Sequence, residues 1–176
     1  MAGLNEYLNK LERMKRAIDS LPTKIAITAV NFSKERFVAK NWYDRQPKDW
    51  QKTKKRKGST LVASGRLKRS IRKVLVSQSK IIVGTDVPYA KVHNYGEKVD
   101  VTQTVRTHNR KGYKVKSHTV KGKKRKAYTV QSSQVKSYKR KLRFKMPKRQ
   151  FLGSSAELAK RIDKLIVSEL DKAKND

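Results

Sequence analysis

Cysteine is absent from the 176-residue chain, which excludes disulfide bonds and thiolate-ligated metal centres. Histidine is nearly so. His93, His108 and His118 are too few and too scattered for a zinc cluster, so neither a metal nor any other cofactor is expected. Long hydrophobic runs are missing as well: no segment approaches the roughly 20 apolar residues that a membrane-spanning helix needs. The opening stretch MAGLNEYLNKLERMKRA is amphipathic and carries acids, unlike the apolar centre of a secretory signal. The chain is therefore expected to be cytosolic when made. Acidic residues are scarce too, 14 against 46 Lys and Arg, for a formal charge of +32. An isolated copy must repel itself and attract polyanions. Nucleic acid is one reading of that charge; a solvated face, or acidic neighbours in an assembly, is the other. Hydrophobic residues make up 36% of the chain, lean for a globular protein, so part of the length is expected to lie outside the packed body.

What is present reads as a single α+β domain over 1–176. Leu4, Tyr7, Leu8, Leu11, Met14, Ile18 and Leu21 recur at steps of three and four, a helical stripe that Pro22 interrupts. Ile25, Ala29, Phe32 and Arg36 continue the period, so residues 1–40 read as two consecutive helices, or one kinked at Pro22, whose apolar faces build about half of the core. Residues 41–60 mix Trp42 and Trp50 with Pro47, Gly58 and the basic run from Lys52 to Lys57, which suits a surface loop. The two Trp could stack on bases, but the commoner use of such residues is to pin a loop to the core.

A compact body is expected from 61–100 and 142–176. In LVASGRLKRSI a short helical turn, with Ser64 as N-cap, runs into the extended IRKVLV. Turn residues Ser77 to Lys80 then separate it from IIVG as a hairpin. In DVPYAKVHNYG, Asp86 can cap a short helix that Pro88 tolerates and Gly96 ends, which puts Tyr89, Val92 and His93 on one side. His93 could serve catalysis or a metal, yet no second ligand or nucleophile lies at a supporting spacing, and a structural, hydrogen-bonded histidine is the expectation. Ser154 and Glu157 match a capping box for a C-terminal helix striped by Leu158, Ile162, Leu165 and Ile166, expected to pack on the N-terminal helices.

Between these parts, residues 101–156 contain no acid, and 101–150 hold 18 Lys and Arg. Val99, Val101, Gln103, Val105 and Thr107 alternate with polar residues, as do Tyr138, Arg140, Leu142, Phe144 and Met146, which argues for strands. Gly112 and Gly122 mark turns. A long basic β-hairpin arm over 101–141, or two stacked hairpins, should reach out of the body. Its candidate DNA- or partner-binding cations are Arg106, Arg110, Lys111, Lys114, Lys116, Lys121, Lys123, Lys124, Arg125 and Lys126. No internal repeat or heptad series is evident. The fold expected is thus N-terminal helices and a C-terminal helix packed on a small antiparallel sheet, with that arm attached.

Three segments taken in order resemble the phage virion morphogenesis family, which includes tail completion proteins and overlaps in pattern with head–tail connector proteins. In LVASGRLKRSI the matching positions are Gly65, Leu67, Ser70 and Ile71. In VGTDVPYAKVHNYG they are Gly84, Tyr89, Ala90, His93, Tyr95 and Gly96. In MPKRQFLGSS, set just before the final helix, they are Pro147, Arg149, Phe151, Leu152 and Gly153. Trp50, after Pro47-Lys48-Asp49, is similar to a Trp in the family's early loop. The likeness runs from about Trp50 to the C-terminus. Asn94-Tyr95 stands where the family usually has Gln-Phe, Gln150 stands for a Pro, and the basic stretch between Gly96 and Pro147 looks longer than the family norm.

The resemblance implies a structural protein of a tailed phage at the head–tail junction, assembled in the host cytoplasm and not an enzyme. It would be a ring, with a hexamer favoured, around the DNA channel. Connector or head-closure proteins, and tail terminator or tail tube protein, would be its partners, with duplex DNA a further candidate. The residues agree in one respect: Gly65, Gly96 and Gly153 fall where elements begin or end, as backbone punctuation does. Phe151 and Leu152 are expected in the core, although such a pair could fill a neighbour's pocket. Six copies at +32 each carry +192, while a ring ~40 Å thick encloses only about 24 phosphates of duplex. The arm is therefore expected to embrace adjacent subunits or an acidic partner, with a minority of its cations facing the lumen. A basic nucleic-acid-binding architectural protein is the alternative, and a nuclease built on His93 and Asn94 the enzyme rival.

Overall fold

The computed structural model describes residues 2–53, 59–120 and 123–175. The basic run Lys54 to Gly58, and Lys121 and Gly122 of the expected arm, lie outside them. The chain begins with a single helix, α1 (Ala2–Ala39), that continues through Pro22. Of the two sequence expectations, two helices or one kinked at Pro22, the single helix is the one found: Pro22 costs one backbone hydrogen bond, and the turns after it are fastened by tertiary contacts. Lys24 bonds Glu169, and Arg161 meets Glu35 at 2.8 Å, both on the terminal helix α4 (Ala156–Asn175). The expected packing of the two terminal helices is thus present. The expected core share of α1 is not. Leu4 (65% exposed), Tyr7, Leu8, Leu11 and Ile18 face solvent, and Ala26, Phe32 and Phe37 of the downstream half do the core work.

The chain divides into two compact units, Met1–Glu97 with Met146–Asp176, and Lys98–Lys145. In the first, the segment expected as a loop begins as a small hairpin, β1 (Asn41–Tyr43) with β2 (Pro47–Asp49). Trp42 and Trp50 are both buried, so they pin this segment as the core reading expects. Next come α2 (Arg66–Ser70), then β3 (Arg72–Val76) and β4 (Ile81–Gly84), which pair antiparallel with an irregularity between Lys73 and Leu75. Ser77 closes their turn, its N–H reaching the Lys80 carbonyl at 2.9 Å. The last short helix is α3 (Ala90–Tyr95). The class is α+β, with two separate two-stranded sheets in this unit where one small sheet was expected.

Capping differs in detail from the sequence reading. Gly65, in the left-handed region at φ 73°, holds the N-cap position of α2; Ser64 contributes only a long contact from its Oγ to the Arg66 N–H, 3.4 Å. Asp86 does not cap α3 but pairs with Arg72 at 3.5 Å. The start of α4 is capped one residue later than expected. Ser155 Oγ accepts the Leu158 N–H at 3.1 Å, and Asp44, from the β1–β2 turn, accepts the Ala156 N–H at 2.6 Å. Glu157 turns instead to Arg161, 2.9 Å away. A carboxylate from a distant turn thus replaces the local box, and a local pattern cannot reveal such a partner.

The second unit is one long antiparallel hairpin. Its outer ladder pairs β5 (Lys98–Val105) with β12 (Tyr138–Lys145). Inside it β6 (His108–Arg110) pairs with β11 (Ser133–Val135), β7 (Tyr113–Val115) with β10 (Tyr128–Val130), and β8 (His118–Val120) with β9 (Lys123–Arg125). Every pair keeps one register, from Lys98 opposite Lys145 to Val120 opposite Lys123. The expectation of a basic hairpin holds over these residues, with a single hairpin rather than two stacked ones. Gly112 is not a turn: it sits in a two-residue gap of the ladder, where a Cβ would come within 2.8 Å of the Val130 carbonyl.

Candidate functional site

The three sequence segments singled out above meet in the first unit around one ring. Phe37 of α1 packs edge-on against Trp50 (5.5 Å between centroids) and tilted against Phe151 (5.0 Å). Leu67 and Ile71 from the first segment, Val87 and Ala90 from the second and Phe151 from the third complete this cluster. Phe151 is fully buried, so the core reading holds for it, and Leu152 packs at its margin. Ser70 Oγ bonds both the Leu67 carbonyl (2.8 Å) and Thr85 Oγ1 (2.6 Å), which ties α2 to the segment beyond Gly84.

Asn94, which the sequence reading singled out as functional only for the nuclease rival, joins the second and third segments. Buried at 4% exposure, its amide donates to the Leu152 carbonyl (3.0 Å) and accepts from the N–H groups of both Phe151 and Leu152 (2.9 Å each). Around it, the Arg149 N–H reaches the His93 carbonyl (2.8 Å), the Arg149 side chain holds the Gln51 carbonyl (3.0 Å), and Trp50 Nε1 donates to the Gln150 carbonyl (2.9 Å). The extended Pro147–Gly153 segment is therefore clamped by side chains from both sides without joining a sheet. Gly96, at φ 73°, ends α3, and a Cβ there would lie 2.5 Å from the Lys148 nitrogen. Only glycine fits that approach.

His93 is half-buried, and Tyr89 packs edge-on against it at 5.9 Å. Its Nδ1 is buried without a hydrogen-bond partner, which corrects the expectation of a bonded histidine. Burial first, and the Arg149 charge second, lower its pKa from the ordinary 6.5. Together they line a cleft of about 440 Å³ with Tyr89, Leu67 and Met146. Among the described residues no group of three or more His, Asp and Glu could hold a metal ion. Tyr95 is 60% exposed and lies outside the buried cluster.

In the second unit Arg106, Arg110, Lys111, Lys114, Lys116, Lys123, Lys124, Arg125 and Lys126 are all exposed; Lys121 lies outside the described residues. Over 98–145 there are 17 Lys and Arg and one acid, Asp100. That acid pairs with Arg143 at 3.0 Å, and among the described residues it is the unit's one ion pair. The ladder exposes a repeat that the sequence reading missed. From His108 to Ser137 the chain reads HNRKG, YKVKS, HTVKG, KKRKA, YTVQS and SQVKS. The first three residues of each pentad form a short strand; the fourth is a cation in five of the six and the fifth is small, and among the described residues these last two fall in the gaps. Constant register sets Val115 opposite Tyr128, Val130 opposite Tyr113 and Val135 opposite His108, aromatic or imidazole against β-branched pairs of the kind that stabilise sheets. His108 and His118 repeat one local contact, each ring Nδ1 meeting the carbonyl two residues back at 2.9 and 3.0 Å.

A model of the phage virion morphogenesis family matches residues 1–171. The chain belongs to that family. Neither curated proteins nor solved structures yield a match to it. The assignment makes this a virion morphogenesis protein, a component of phage-particle construction, and the segments that carried the resemblance are those that interlock around Phe37 and Asn94. Among the described residues no helix of this virion morphogenesis protein is long and apolar enough to cross a membrane.

Proposed function

We propose that this chain is a non-catalytic structural component of the head–tail junction, acting at the neck or in tail completion. It forms a cyclic homo-oligomer, a hexamer in the favoured case, around the channel through which DNA passes. Connector or head-closure proteins meet one side of the ring, and tail terminator or tail tube protein meets the other. The observation that carries the reading is the family match across 171 residues, and the motif residues Leu67, Ile71, Ala90 and Phe151 serve packing while Arg149 clamps backbone. Asn94, which a nuclease reading would enlist beside His93, has its amide engaged by Phe151 and Leu152, and the Nδ1 of His93 faces no carboxylate. A phage carrying an amber mutation in this gene tests the proposal by electron microscopy of the lysate. Heads and tails should accumulate unjoined; joined particles, or lysates without capsids, contradict it.

A further inference from the structure

The pentad ladder presents its cations at a fixed interval. On one strand Arg106, Lys111 and Lys116 hold the fourth pentad position, and on the other Lys126, Lys136 and Lys141 hold it. Those numbered 106 to 136 lie in the gaps between the three-residue strands, where no ladder pair forms. Among the described residues no other backbone hydrogen bond involves these gaps either. Each gap therefore offers exposed main-chain N–H groups beside one or two ammonium or guanidinium groups, a combination suited to phosphate oxygens. Five residues at a strand rise of ~3.3 Å place successive gaps about 16 Å apart. Because five is odd, the cations of successive gaps on one strand turn to opposite faces of the ribbon, and those sharing a face, Arg106 with Lys116 or Lys126 with Lys136, are ten residues or ~33 Å apart, close to the ~34 Å repeat of duplex DNA.

We infer that the hairpin 98–145 is a duplex-DNA-binding element whose gap cations on one face engage phosphates at intervals of one helical turn. An acidic protein surface has no reason to share that period, and hairpin-to-hairpin pairing is opposed by 17 cations against one acid. The charge also fits. The 23 residues from Lys98 to Val120, opposite Lys123 to Lys145, extend at most ~76 Å, a length over which duplex presents about 45 phosphates. One hairpin neutralises about a third of these, so a few copies can share one stretch of DNA before charge runs out. This conclusion concerns the purified chain and holds whether or not the copies form a ring.

The test uses the full chain, a mixed-sequence duplex of about 40 base pairs, and the salt dependence of binding. Replacing Lys111, Lys126 and Lys136 with Gln removes three gap cations that share one face of the ladder; replacing Lys114, Lys124 and Lys139 with Gln removes three from within strands. Both variants carry the same net charge, and far-UV circular dichroism checks that each retains its strands. The gap variant should lose about 2.7 from the slope of log K against log salt, at ~0.9 per phosphate contact, and the in-strand variant less than half of that. Equal losses reduce the effect to bulk charge and overturn the inference. So does unchanged binding, or tighter binding of the wild type to poly-glutamate than to duplex.

Discussion

Asn94 shows how one side chain can set a local fold. Its three hydrogen bonds hold Phe151 and Leu152, so truncation strands two N–H groups and a carbonyl in a buried setting. At ~1–3 kcal/mol for each buried group left unpaired, Asn94→Ala should cost at least about 2 kcal/mol in urea unfolding. His93 acts through its proton. Its pKa is lowered in the folded state by burial and then by Arg149, so the unfolded chain binds the proton more readily than the folded one. Stability is then fully present above the ordinary value of 6.5 and falls as the pH drops below it. His93→Gln should narrow the difference in melting temperature between about pH 7.5 and pH 5.5; an unchanged difference would assign the acid sensitivity to other groups.

At the scale of elements, the hairpin makes the sharpest prediction. Excising residues 111–115 together with 128–132 removes one pentad from each strand and brings Lys116 after Arg110 and Ser133 after Ala127, with every remaining pair of the ladder in register. Excising 111–115 alone shifts one strand by five residues, an odd number that turns its side chains to the opposite face. Hydrogen exchange at Lys98–Val105 should stay slow in the matched deletion and become fast in the unmatched one. The strands of this hairpin were legible in the alternation around Val101 and Leu142, but its repeat was not, because a five-residue period fits neither the two-residue template of a strand nor the 3.6-residue template of a helix. Elsewhere local signals worked where the partner was local, as at the Ser77–Lys80 turn and at Gly96. They failed where it was distant: Asp44 caps α4 across more than 110 residues, and Leu4, Tyr7 and Leu8 show a helical stripe that the folded chain leaves exposed.

At the scale of the whole molecule, 48 residues, Lys98–Lys145, carry half of the +32 charge. A two-stranded ribbon is marginally stable on its own, and self-repulsion weakens it further, so polyanions are expected to steady it. The other unit spends the motif residues Leu67, Ile71, Ala90 and Phe151 on a core. A division between a packed unit and a cationic ribbon suits a part that holds other macromolecules together, which is what a particle-building protein has to do. The most direct test of that account is quantitative mass spectrometry of purified, infectious particles against their separated heads and tails. The account predicts the chain in finished particles at a small fixed copy number, about six for the favoured ring, relative to the major capsid protein. Its absence from finished particles, with abundance only in the lysate, would contradict it.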